Sequence, residues 1–126
     1  MKIELFTLCD GAFNNGGRLT IVNTYDNVMA RQFPWKAALG VALKIYIPAD
    51  EKGTHTLSVA IVNEKGDQVL HNLNANLDIP IDGQDGHIAL ASNIQGIVFP
   101  NAGLYFVIVR IDEIEILHHK FSVTGI

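Results

Sequence analysis

The run Phe99-Pro-Asn-Ala-Gly-Leu-Tyr-Phe-Val-Ile-Val-Arg-Ile-Asp-Glu-Ile-Glu-Ile-Leu-His-His-Lys-Phe-Ser-Val123 decides the fold. It reads as two long strands folded back on each other at Asp112-Glu113, and it is the most apolar sustained segment of the chain. A two-residue loop there sets Ile111 opposite Ile114, Val109 opposite Ile116 and Arg110 opposite Glu115. The opposite-charge pair contributes about 0.2–1 kcal/mol and helps to fix the register. Carried on strictly, that register turns Phe121 and Val123 away from Tyr105 and Val107. One extra residue near His118-His119 restores them to the same face, so the sequence predicts a β-bulge at that point. A lone hairpin is at best marginally stable in water, and the rest of the chain must cover its apolar faces.

Working outward, residues 2–9 alternate as a strand, with Ile3, Leu5 and Cys9 on one side and Lys2, Glu4, Phe6 and Leu8 on the other. Asp10 to Gly17 reads as a loop, because Asn14-Asn15-Gly16-Gly17 tolerates positive φ. Further strands are expected over 18–25, 28–33, 36–47, 55–62, 68–77 and 87–99, the last interrupted at Asn93-Ile-Gln-Gly96. Short strands separated by turn signals, with no clear helical period, predict an all-β fold. The expected architecture is one domain over residues 1–126, an antiparallel β-sandwich of roughly eight strands with immunoglobulin-like or jelly-roll topology.

Composition narrows the function classes. The 126 residues are 48% hydrophobic, and 9 basic against 13 acidic side chains leave a net charge of −4. The basic residues are scattered, so no electrostatic footprint for nucleic acid is expected. No apolar run approaches the roughly 20 residues that span a membrane as a helix. One cysteine, Cys9, excludes an intrachain disulfide framework, and the N-terminal segment reads as a strand and not as a signal peptide. The cytoplasm is the expected location.

Candidate chemistry is sparse. Cys9-Asp10 offers a thiol, but a strand end supplies neither a cation nor a helix N-terminus to lower its pKa, and a packed structural cysteine is the better reading. The loop with Asp78, Asp82, Asp85 and His87 is a weak cation candidate; it lacks the spacing of a calcium loop and reads first as a solvated turn. His118 and His119 are neighbours on a strand and point to opposite faces, and His55, His71 and His87 show no zinc spacing with them. No phosphate-binding loop and no nucleophile elbow occurs. Trp35, with Tyr25 or Tyr46, is the weak candidate for a stacking platform that would take a sugar or another small ligand.

Several short motifs follow one another: Cys9-Asp10-x-Ala12, Gly17-Arg-Leu-Thr-Ile, Phe33-Pro34, Gly53-x-His55-x-Leu57-x-Val59, the Glu64-Lys-Gly-Asp67 turn and Gly103-x-Tyr105-Phe-Val. Their order resembles a small bacterial family of single-domain proteins of unknown function. The resemblance implies a β-sandwich of unassigned role, and it carries over no catalytic residue. The expectation is therefore a non-enzymatic protein without a cofactor or metal. It would act through contacts with another protein or with its own copies in a homo-oligomer, without nucleic acid or membrane. The alternative is a small-ligand or carbohydrate-binding module built on Trp35 and neighbouring loops.

Overall fold

A computed structural model describes residues 1–126, the side chains of His71 and Asn72 excepted. The alternating segments become nine strands: β1 (Lys2–Asn15), β2 (Arg18–Tyr25), β3 (Asn27–Ala30), β4 (Trp35–Ile47), β5 (Thr54–Asn63), β6 (Gln68–Asp78), β7 (Gly86–Phe99), β8 (Gly103–Ile111) and β9 (Ile114–Gly125). A single 3₁₀ turn, Ala49–Glu51, links β4 to β5. One sheet has the order β2-β1-β4-β7 and the other β3-β9-β8-β5-β6. All pairings are antiparallel except β3 with β9. The two sheets pack face to face as a β-sandwich. No helix among the described residues is long and apolar enough to cross a membrane.

Inward positions alternate as a pleated strand requires. Leu39, Val41, Leu43, Ile45 and Ile47 of β4 meet Leu57 and Ile61 of β5 and Val107 and Val109 of β8 in the main core. The hairpin of β8 and β9 turns at Asp112 and Glu113 with φ of 50° and 69°, so both central residues take the left-handed conformation of the tight hairpin turn. Ile111 pairs with Ile114 and Arg110 with Glu115 as read from the sequence, whereas Val109 pairs with Leu117. The bulge is real, but the extra residue is Ile116, two positions before the expected His118. It does what the sequence required: Phe121 lies opposite Tyr105, and both are buried in the core.

Two readings of β1 need correction. A register shift between Ile3 and Leu5 places the extra residue at Glu4. Ile3, Phe6 and Leu8 therefore face the core, while Leu5 and Cys9 face the other side. Nor is Asp10–Asn15 a loop; β1 continues to Asn15, and only Gly16-Gly17 turns the chain. This extension does not follow β4 to its start at Trp35; their pairing ends at Gly40, opposite Cys9. Instead β1 crosses over the outer face of β4 at Gly40 and reaches β7. There the Asn93 side chain accepts from Ala12 N–H at 3.0 Å and donates to Ala12 C=O at 2.9 Å, and Asn14 donates to Ala89 C=O at 2.9 Å. One amide thus replaces a missing strand partner. Beneath the crossing, Cys9, Ala12 and Ala42 form a second small core with Ile21 and Ala91.

Candidate functional site

The aromatic residues expected to form a platform do not meet. Trp35 opens β4 opposite Phe99 and stacks on its ring, with centroids 5.6 Å apart and an interplanar angle of 26°. Tyr46 stands eleven residues further along the same strand, roughly 36 Å away at strand rise. Its hydroxyl donates to Asp85 at 2.7 Å, a bond that raises the Tyr46 pKa. Tyr25 lies on β2 against the main core, and burial first, then the Asp10 charge, push its pKa up to about 12. No shared surface for a sugar ring results.

The acidic loop is likewise divided among separate partners. Asp78 accepts from the Thr54 hydroxyl at 3.1 Å, and Asp82 from the Lys52 ammonium at 2.7 Å. Asp85 accepts from Tyr46 and from Ala49 N–H, and the Glu4 carboxylate lies 2.7 Å from His87 Nε2. Hydrogen bonds from Lys52 and from Tyr46 hold Asp82 and Asp85, respectively, below the ordinary carboxylate range. Among the described residues no three His, Cys, Asp or Glu side chains converge as a metal site would need. The His71 side chain falls outside the described residues. His118 and His119 point to opposite faces, as the sequence predicts: His118 packs on Phe106 and His119 on Phe6, each with ring centroids 4.8 Å apart. Cys9 is fully buried under the β1 crossing, and this burial pushes its thiol pKa up, opposite to what a nucleophile requires.

At the hairpin end of the sandwich, His55 is held at both ring nitrogens. Nδ1 lies 2.5 Å from the Asp112 carboxylate, and Nε2 lies 2.5 Å from the Glu51 carbonyl. Both partners are acceptors only, so the ring satisfies them together only when it carries two protons. The Asp112 hydrogen bond raises the His55 pKa against the opposing effect of burial, and His55 in turn lowers that of Asp112. The raised histidine contributes stability in full below its unfolded value, and that contribution is lost as pH rises through the folded value. The urea midpoint of the protein is therefore expected to fall as pH rises above about 6.5, the ordinary histidine value. In His55→Gln this part of the fall should be absent; an unchanged slope in the variant would refute the assignment.

The feature with the shape of a binding site lies elsewhere, between the sheets. β6 and β7 are edge strands of opposite sheets that run along the same side of the sandwich. Between them a cleft of about 280 Å³ opens into the interior. Val41 and Leu43 of β4 and Leu57 and Val59 of β5 form its floor, and Leu90 and Ile94 of β7 one wall. Leu73 and Ala75 of β6 form the other wall, and Leu73 is exposed at the mouth. The gap exists because inward positions on the edge strands carry small side chains, Ala75 and Ser92, where the central strands carry Leu or Val. Nothing in the local sequence marks it, since its walls come from segments some fifteen residues apart whose alternation reads as ordinary strand.

Comparison with known proteins adds little chemistry. No curated protein matches the chain. A solved structure of Pseudomonas fluorescens alkylpurine DNA glycosylase AlkC, bound to DNA containing an abasic site analog, is similar at a TM-score of 0.43 and 11% identity, over 98% of this chain and 30% of that one. No finding supports the composition-based expectation of a protein partner or a second copy, with nucleic acid excluded, and it is withdrawn. At this TM-score the likeness carries no argument about what the present chain binds. The sequence itself is matched over residues 4–124 by the family of unknown function DUF6941, and to that family the chain belongs.

Proposed function

We propose that this chain is a non-catalytic binding module of immunoglobulin-like architecture that seats a small apolar molecule in the cleft between β6 and β7. The observation that carries the reading is the cleft: about 280 Å³ of space lined almost wholly by aliphatic side chains. An apolar cavity of about 150 Å³ is enough to hold benzene, and pockets for larger ligands begin near 300 Å³. The immunoglobulin-like assignment is supported by the order β3-β9-β8-β5-β6 facing β1-β4-β7. It is supported too by the Tyr105 hydroxyl, which donates to the Asn101 carbonyl at 2.6 Å near the start of β8, as in a tyrosine corner. The cytoplasm is the location we propose, on the single unpaired thiol.

Titration with benzene is expected to give saturable methyl shifts at Val41, Leu43, Leu57, Val59, Leu90 and Ile94. Ala75→Phe, at an exposed position on the cleft wall, should abolish them while leaving the thermal unfolding curve in place. At a hundredfold excess over Kd, benzene should add about 2.7 kcal/mol to stability. Absence of saturable shifts in the parent protein would end this reading.

A further inference from the structure

Resting on that reading, we infer that the cleft selects an uncharged ligand: an apolar body carrying one neutral hydrogen-bonding oxygen, such as an alcohol, a ketone or an ester. Two observations carry the choice. First, no ionisable side chain lines the cleft. A carboxylate or ammonium drawn into it would shed part of its water and meet no opposite charge. Second, one polar side chain does face the ligand space. Ser92 lies opposite Val41 on the inward side of β7, and its hydroxyl has no hydrogen-bond partner among the described residues. Asn74, the other polar residue at the mouth, pairs with Ser58 and turns its side chain to the outer face of the sheet.

A hydroxyl both donates and accepts, so Ser92 suits an alcohol and a carbonyl alike. It is also exposed at the mouth, which puts the ligand's oxygen outward and its apolar part against Leu43 and Leu57. The selectivity follows from this arrangement. An added neutral oxygen gains a partner, while an added charge gives up part of its hydration to the aliphatic walls and meets no opposite charge.

Three ligands of similar size test the inference: benzene, benzyl alcohol and benzoate, titrated at about pH 7.5, where benzoate is ionised. Benzyl alcohol is expected to bind about three- to tenfold more tightly than benzene, and benzoate at least about tenfold more weakly than the alcohol. Ser92→Ala should remove the advantage of the alcohol over benzene, whatever the variant does to the benzene affinity itself. Benzoate binding as tightly as the alcohol would overturn the inference, and so would an alcohol advantage that survives in Ser92→Ala. In either case binding of benzene keeps the cleft reading intact. If none of the three binds, both fall.

Discussion

Replacing Phe99 by alanine is expected to lower the unfolding free energy by about 3–5 kcal/mol, the range for removing a buried aromatic ring from a core. Phe99 ends β7 and is fully buried. Its ring takes Trp35 of the same sheet in a stacked contact. It meets Tyr105 and Phe121 of the opposite sheet edge-on, at centroid distances of 4.9 and 6.0 Å. The ring therefore bridges the sheets, and its loss leaves a void lined by three aromatics that rigid strands cannot close. Trp35→Ala should cost distinctly less, since Trp35 is only half-buried and touches the core from its margin. The same stacking already occupies one flat face of Trp35. Urea unfolding of the two variants checks the ranking. A cost for Phe99→Ala below about 1 kcal/mol, or one smaller than that of Trp35→Ala, would show that the void collapses and the bridge is unimportant.

How far the sequence could be read depended on whether the signal was local. The tight turn at Asp112-Glu113 and the Arg110–Glu115 pair were legible because a two-residue loop fixes both neighbours at once. That β9 needed a bulge was legible from the faces of Phe121 and Val123, but its place was not. Shifting it to Ile116 satisfies the same two residues and puts His119 inward beside Phe6, a contact between distant segments. The extension of β1 was misread because Asn14-Asn15-Gly16-Gly17 signals a turn without saying how much of the preceding chain is still strand. The cleft was invisible for a related reason: small residues at 75 and 92 become a gap only once β6 and β7 stand on the same side of the sandwich. The Tyr105–Asn101 hydrogen bond, by contrast, joins residues only four apart, and the resemblance noted Gly103 and Tyr105 without giving it.

Gly40→Val is expected to lift the β1–β2 hairpin off its sheet, and the thiol of Cys9 should report it. A Cβ at position 40 would lie 2.8 Å from Cys9 Sγ, 2.9 Å from the Cys9 carbonyl oxygen and 3.2 Å from Gly11 Cα. Two of these neighbours are backbone atoms, which cannot rotate away, so the strand itself must move. Overpacking of this kind costs typically about 1–3 kcal/mol, and the branched side chain places Gly40→Val at the upper end or beyond. Movement there also separates Asn93 from Ala12, orphaning both backbone groups that the amide now satisfies. Cys9 is fully buried in the parent protein, and burial keeps its thiol protonated, so it should react with a thiol reagent only through rare opening. In Gly40→Val, or in Gly40→Ala if the larger variant does not fold, labelling should accelerate well before global unfolding begins. The variant Cys9→Ala in the Gly40→Ala background offers the complementary check, because removing Sγ deletes the closest contact. It should recover part of the lost stability, while the clash with the carbonyl oxygen remains. Full recovery, or a Gly40→Val protein whose thiol stays as protected as in the parent, would mean that β1 does not cross β4 at close quarters.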